Sequence, residues 1–245
     1  GNLSFLITCK HVLDHKNSVR LRFNGKAAQA GQSINYSIKR QGADKNILPA
    51  SDASVDLAAL YLDKIPEKAD LHPIDPSEIL DESKWNAQDI GEGTEIFTVG
   101  PVYGYPGKAR NTPALRFGRI AQINPEKWYN ERVESVFEKA FLTDINLTHG
   151  TSGSPVFLLP ANSLSNEKKI AIQPKDSLIV LGVVKGAPDV VAGQFLNAEP
   201  SLEIPQAVSA CEPASSLRSF IKEISKEITA KGFVLEKNVQ QLLSR

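Results

Sequence analysis

The sequence of 245 residues contains no methionine and only two cysteines. Cys9 and Cys211 lie far apart, so the chain has no cysteine spacing of the kind that binds a metal, and we expect neither a metal nor another cofactor. Two cysteines do not define a disulfide framework, which leaves a reducing and an oxidising compartment both open. Ordinary composition predicts several methionines, so we expect residues of the natural chain to be missing from this sequence.

Long apolar runs and an excess of charge are also lacking. The 28 Lys and Arg residues balance the 28 Asp and Glu residues, and no stretch approaches the length of a membrane span. These absences argue against a nucleic-acid or membrane-surface protein and predict no membrane span. The hydrophobic share of 41% is enough for a substantial core.

The most informative segment is a turn at residues 150–155, Gly-Thr-Ser-Gly-Ser-Pro, which an apolar strand follows directly. Its glycines let the backbone fold tightly, so that the hydroxyl of Ser152 is held clear and N–H groups point to a common place. Acyl transfer needs such an exposed nucleophile beside backbone donors that can hold an oxyanion. By itself the pattern also fits an ordinary hairpin loop.

Two further motifs precede this turn in the chain. An apolar run from Phe5 ends at His11, and Asp56 stands at the mouth of the apolar strand Leu57–Leu60. With Ser152 the order is His, Asp, Ser, and together the three motifs resemble the trypsin/chymotrypsin-like serine peptidases. The resemblance extends from Phe5 to about Phe220.

The chain is most similar to the bacterial Deg/Htr-type branch of that family. Thr143-Asp144 lies upstream of the Ser152 turn at the distance typical of the branch, and Gly104-Tyr105-Pro106 resembles its Gly-Tyr-Pro turn. The resemblance is compatible with either the bacterial cytoplasm or the periplasm. Thr151 stands where the branch has Asn and the digestive enzymes have Asp, and Ser154 stands where Gly is usual.

The resemblance implies an all-β fold with two antiparallel β-barrels and a C-terminal α-helix. We expect residues 1–62 to form the first barrel half, whose N-terminal strand is short or outside this chain. Residues 63–93 would link the halves, residues 94–212 would form the second half, and residues 213–245 would hold the helix and a tail. Apolar residues at helical spacing from Leu217 to Ile228 predict that helix over 215–231. Asn24-Gly25 predicts a hairpin turn.

The family's chemistry assigns a role to each catalytic candidate. Ser152 would be the nucleophile, His11 the general base, and Asp56 the acceptor that fixes the imidazole tautomer. The backbone N–H groups of Gly150 and Ser152 would form the oxyanion hole.

By position in the family, Asn146 would lie near the base of the primary specificity pocket. The strand edge at Val184, Lys185 and Gly186 would pair with the substrate backbone. A neutral Asn cannot neutralise a lysine or arginine side chain, so we expect a small or medium apolar residue at the cleavage site.

Other side chains compete for these roles. Cys9 lies close to His11 and would be either a nucleophile or, more often for such a residue, a small buried hydrophobe. Asp52 and Asp63 are alternatives to Asp56, and Asp144 resembles a structural acid. Three further histidines are expected to be solvated or at the rim of the site: His15, His72 and His149.

Two functions remain open at this level. One is a serine endopeptidase that cleaves a polypeptide substrate through an acyl-enzyme. The other is a catalytically silent trypsin-like fold that binds a peptide or a partner. Further domains outside this chain also remain open.

Overall fold

The chain is built mainly from antiparallel strands. The computed structural model describes residues 4–14, 18–26, 31–39, 47–62, 66–81, 90–102, 105, 107–123, 128–130, 135–137, 140–147, 150–160, 178–186 and 208–230. The strands of the first half are β1 (Ser4–Cys9), β2 (Ser18–Gly25), β3 (Ser33–Lys39), β4 (Ile47–Pro49), β5 (Leu57–Leu62) and β6 (Ala69–Asp70). Those of the second half are β7 (Glu95–Gly100), β8 (Ala114–Gln122), β9 (Trp128–Asn130), β10 (Ser135–Phe137), β11 (Phe141–Thr143), β12 (Pro155–Leu158), β13 (Val180–Gly186) and β14 (Ser209–Pro213). Two helices, α1 (Lys10–Leu13) and α2 (Ala214–Ala230), and a 3-10 turn (Pro76–Glu78) complete the described elements.

The strands of the first half form two sheets of three strands each. One sheet has the order β1-β5-β4 and the other the order β3-β2-β6. Strand β5 is almost fully buried because it is apolar on both faces, and it lies between β1 and β4. In the antiparallel register Cys9 lies opposite Leu57, so the end of β1 meets the start of β5.

Six strands of the second half close into a barrel with the order β11-β14-β13-β12-β7-β8, and β9 and β10 pair as a separate two-stranded sheet. Closure gives every strand of the barrel a partner on both sides, and β13 continues beyond Val183, the last of its residues that pairs with β12. Phe97 and Phe157 stack at 5.1 Å between ring centroids on the paired strands β7 and β12. This ring contact adds to the pairing of β7 with β12.

Helix α2 packs on β13 and β14 and also contacts β5 of the first half. Its apolar residues Leu217, Phe220, Ile224 and Ile228 are buried, as their helical spacing predicts. Each fully buried side chain of this size adds about 1.5–3 kcal/mol to folding. The helix spans Ala214–Ala230, so the all-β fold with a C-terminal helix is confirmed.

One core cluster is continuous across the two halves, and a second cluster around Leu21 and Leu60 lies within the first half. The continuous cluster includes Cys9 and Leu57 from the first half and Val183, Val184 and Phe220 from the second. Away from the core, the Asn24 side chain exchanges two hydrogen bonds with the Asn111 main chain: Asn111 N donates to Asn24 Oδ1 at 2.7 Å, and Asn24 Nδ2 donates to the Asn111 carbonyl at 3.2 Å. Within the described residues, no helix is both long and apolar enough to cross a membrane.

The structure refines two local expectations. Asn24-Gly25 predicts a hairpin, and β2 does pair antiparallel with β3, but both residues belong to β2 rather than to the connection, and the Gly25 N–H donates to the Gln32 carbonyl. Strand β6 lies inside the segment expected to be a linker and pairs with the end of β2. Residues 231–245, expected to be a tail, lie outside the described part of the chain.

Candidate active site

The pairing of β1 with β5 brings His11 and Asp56 together. His11 lies on the one-turn helix α1, which begins directly after β1, and Asp56 directly precedes β5. Because Cys9 and Leu57 are opposite each other, the residues just beyond them are neighbours. The Lys10 N–H donates to the Asp56 carbonyl at 3.1 Å and fixes the junction.

The Asp56 carboxylate contacts His11 at two points. Its Oδ1 accepts the backbone N–H of His11 at 3.1 Å, and its Oδ2 lies 2.6 Å from the ring nitrogen Nδ1. The hydrogen bond to Asp56 raises the pKa of His11 above 6.5, although partial burial opposes the shift. A carboxylate can only accept, so Nδ1 carries the proton and Nε2 of the neutral ring keeps its lone pair.

The turn that carries Ser152 begins and ends with glycines in the left-handed region. Gly150 has a φ of 85° and Gly153 a φ of 88°, which other residues adopt only with strain. Gly153 also lies so close to Thr8 of β1 that an added Cβ would overlap the Thr8 hydroxyl. Ser152 is half-buried directly before this contact.

The carbonyl of Val184 joins the Ser152 turn to the strand that leads to His11. It accepts the Gly153 N–H at 2.9 Å and the Cys9 thiol at 3.1 Å. The Val184 N–H in turn donates to the Ser154 carbonyl at 2.8 Å. Through these bonds the Ser152 turn is anchored at the end of β1, directly before the helix that carries His11.

Glu212 and Lys185, which the sequence does not single out as a pair, lie next to the backbone N–H of Asp56. Glu212 Oε1 accepts the backbone N–H of Asp56 at 2.9 Å and the Lys185 ammonium at 2.7 Å. Both side chains are buried, and burial raises the pKa of the Glu212 carboxyl while the Lys185 ammonium opposes that shift. Glu212 lies on β14, whose sequence shows no clear alternation of polar and apolar residues that would predict a strand.

The expected substrate-binding residues lie on two segments of the barrel: Asn146 follows β11, and the other three end β13. Asn146 is exposed in the segment after β11, beside Ile145, whose carbonyl accepts the Ser209 hydroxyl at 3.0 Å. Val184 uses both backbone groups within the protein, and the Lys185 side chain is buried. Gly186 ends β13 opposite Ala210, after a register shift.

The competing acids have other contacts. Asp52 Oδ1 accepts the N–H and the hydroxyl of Ser54 and so stabilises its own turn. Asp144 accepts the Arg119 N–H, which ties β11 to β8. His72 is exposed beside Asp70. The other competing residues, and two residues of the Gly-Tyr-Pro turn, lie outside the described part of the chain: His15, Asp63, His149, Gly104 and Pro106.

Cys9, His11 and Asp56 place possible metal-ligand atoms within 4.8 Å of one another. The Cys9 thiol is fully buried and donates to the Val184 carbonyl, and desolvation raises its pKa well above the ordinary range. A metal ligand must be a thiolate, so this donor set is poorly suited to a cation. The same burial makes Cys9 a structural residue.

Comparison with known proteins bears on the same segments. The family described as the trypsin-like peptidase domain matches residues 1–164, which include His11, Asp56 and Ser152. A comparison with curated proteins gives no match. Since the family match covers about two thirds of the sequence and the fold agrees with it, the chain belongs to the trypsin-like peptidase domain family.

Proposed function

We propose that the chain is a serine endopeptidase that hydrolyses peptide bonds through a Ser-His-Asp triad. Ser152 is the nucleophile, His11 the general base and Asp56 the residue that orients the imidazole. The backbone N–H groups of Gly150 and Ser152 form the oxyanion hole. No metal or other cofactor takes part in this mechanism.

The observation that carries the proposal is the two-point contact between Asp56 and His11. The bond to the backbone N–H fixes the carboxylate, and the bond to Nδ1 fixes the ring and its tautomer. The raised pKa of His11 reflects the same contact, which stabilises the imidazolium that forms when the ring takes a proton. A silent binding module does not need an ordered base of this kind.

The reaction begins when Nε2 of His11 takes the proton of the Ser152 hydroxyl. The Ser152 Oγ attacks the peptide carbonyl, and the two N–H groups hold the oxyanion of the tetrahedral intermediate. The imidazolium then gives its proton to the leaving amine, and an acyl-enzyme remains. Water hydrolyses this ester in a second cycle of the same base.

Substrate recognition is proposed for the segment around Asn146 and for the edge of β13 at Val184, Lys185 and Gly186. Because both backbone groups of Val184 are already bonded, Gly186 is the part of this edge that we expect to pair with the substrate main chain. Asn146 carries no charge, so the proposed preference is for a small or medium apolar residue.

A fluorophosphonate probe tests the proposal, because it reacts with an activated serine and leaves ordinary hydroxyls unmodified. We expect the wild-type protein to be labelled at Ser152 and to hydrolyse casein. The S152A variant should lose both properties and melt at nearly the same temperature. Well-folded wild-type protein that is not labelled would favour a silent peptide- or partner-binding module.

A further inference from the structure

Glu212 and Lys185 form a buried ion pair directly behind Asp56. Their side chains are 0% and 9% exposed, and Lys185 Nζ lies 2.7 Å from Glu212 Oε1. They lie on the neighbouring strands β14 and β13 of the barrel. Two hydrophobic side chains of similar volume would fill this space without the desolvation penalty of two charges. The pair therefore needs a reason beyond packing.

The hydrogen bond from Asp56 to Glu212 supplies that reason. Glu212 Oε1 accepts the Asp56 N–H at 2.9 Å, and this bond crosses from the barrel to the first half of the chain. On the other side, the Asp56 carbonyl accepts the Lys10 N–H at 3.1 Å, and Oδ1 accepts the His11 N–H at 3.1 Å. Asp56 is thus held from both halves while Oδ2 contacts the imidazole.

The charge on Glu212 depends on Lys185. Burial favours the neutral carboxyl, and so does the charge of Asp56, whereas the Lys185 ammonium favours the carboxylate. Glu212 Oε2 is buried and has no hydrogen-bond partner among the described residues. The carboxylate therefore relies on the two bonds made by Oε1. An ionised acceptor makes the bond to the Asp56 N–H stronger than a neutral acceptor would.

We propose that Glu212 and Lys185 are positioning residues that hold Asp56 in register with His11 across the interface between the two halves. The inference rests on the proposed triad and extends it to a strand beyond residue 164, where the family match ends. The positive charge of Lys185 also offsets the negative charge of Glu212. The net charge beside the imidazolium is then that of the Asp56 carboxylate alone.

Two double variants separate the acceptor from the charges. E212Q/K185M removes both charges but keeps an amide oxygen that can accept the Asp56 N–H. E212L/K185M removes the charges and the acceptor. On fluorescein-labelled casein, we expect kcat of E212L/K185M to lie at least roughly tenfold below that of E212Q/K185M, with KM unchanged, because only the orientation of the base differs.

A third variant controls for the loss of an ion pair as such. Arg218 on helix α2 pairs with Asp81 at 3.3 Å and also donates to the Ile79 carbonyl. R218M should lower the melting temperature without changing kcat. If leucine at 212 prevents folding, E212M/K185M replaces that variant, since methionine fills irregular space without a strong acceptor.

The titration of His11 gives a readout that does not depend on turnover. The charged groups that act on His11 are Asp56, Asp14 and Lys185. Of these three groups, both double variants lack Lys185 and keep the other two. NMR should show a lower His11 pKa in E212L/K185M than in E212Q/K185M, because the bond to Asp56 is loosened. The signal is assigned by its loss in H11Q.

The two ideas fail in different ways. If wild-type protein is not labelled by the fluorophosphonate, the peptidase proposal fails, and the His11 titration still decides whether Glu212 positions Asp56. If wild-type protein is labelled but the two double variants share the same kcat and the same His11 pKa, the positioning role is overturned.

Discussion

Gly153 and Thr8 are in direct contact across the interface between the two halves, with no room for a side chain at residue 153. Gly153 directly follows Ser152. Thr8 lies on β1, three residues before His11. The contact thus sets how closely the proposed nucleophile approaches the strand that leads to the proposed base. A left-handed backbone and a lack of space both require glycine at this position.

Replacement of Gly153 by alanine tests this contact. Gly93 has the same φ of 88° but open space around it, so G93A measures the backbone strain alone. We expect G93A to lose about 1–2 kcal/mol of stability and to keep its activity. G153A should lose more stability than G93A and most of its activity, because the turn must move away from Thr8.

Urea denaturation gives the two stabilities, and the rate of fluorophosphonate labelling gives the activity. Gly91 has open space and no left-handed φ, so G91A is the neutral control. Equal stability and equal labelling rates in G153A and G93A would show that the Thr8 contact does not set the turn.

Replacement of Asp56 by asparagine should lower kcat by roughly 10⁴-fold, because an amide can present an N–H to Nδ1 and favour the wrong imidazole tautomer. The matched control is D52N, since Asp52 Oδ1 accepts the N–H and the hydroxyl of Ser54, which an amide oxygen can also accept. Steady-state hydrolysis of casein provides the measurement. A D56N variant within tenfold of the wild type would remove Asp56 from the triad.

The activity should rise with pH through the pKa of His11. That pKa lies above 6.5, since the hydrogen bond to Asp56 and the charges of Asp56 and Asp14 outweigh burial and the charge of Lys185. Below it the ring is protonated and cannot take the Ser152 proton. A pH profile of kcat/KM that is flat from pH 5 to 9 would contradict the assignment of His11 as base.

The stability of the fold should respond to the same group in the opposite direction. His11 binds its proton more tightly in the folded chain than in the unfolded chain, where its pKa is ordinary. Its contribution is therefore complete below about pH 6.5 and is lost as the pH rises through the folded pKa. Urea midpoints of wild type and H11Q across this window should converge at high pH.

Thiol reagents should not inhibit the protein. Cys9 and Cys211 are both fully buried, and burial raises the pKa of the Cys211 thiol to about 12 and that of Cys9 further. Iodoacetamide needs a thiolate that it can reach. Incubation at pH 8 should leave hydrolysis and intact mass unchanged, whereas rapid alkylation of Cys9 with loss of activity would revive its role as a nucleophile.

The parts of the site that the sequence predicts are those next to long apolar strands. His11 follows β1 and Asp56 precedes β5, and both strands are strongly apolar in sequence, β5 being almost fully buried and β1 partly buried. Their proximity follows from the antiparallel register, which the family resemblance implies and β1–β5 pairing provides. The hydrogen bond between the two side chains needs only that register and a short helix.

The parts that the sequence does not predict depend on contacts distant in the chain. Glu212 lies 156 residues from Asp56, and nothing local marks its carboxylate as buried. Strand β6 has two residues and β4 three, which is too short for any alternation. Strands β10 and β11 likewise have only three residues each.

Activity should not require cleavage that creates a new N-terminus. In the digestive enzymes of the family, an acid directly before the nucleophile pairs with a new terminal ammonium and so shapes the oxyanion hole. Thr151 occupies that position, is 3% exposed, and has no charge for an ammonium to neutralise. Here the turn itself is held by the Gly153 and Ser154 backbone bonds, which exist without a terminal partner. Two versions of the chain, one with extra residues ahead of Gly1 and one starting at Gly1, should therefore hydrolyse casein equally. Hydrolysis that begins only after the extra residues are removed would show that an N-terminal partner sets the oxyanion hole.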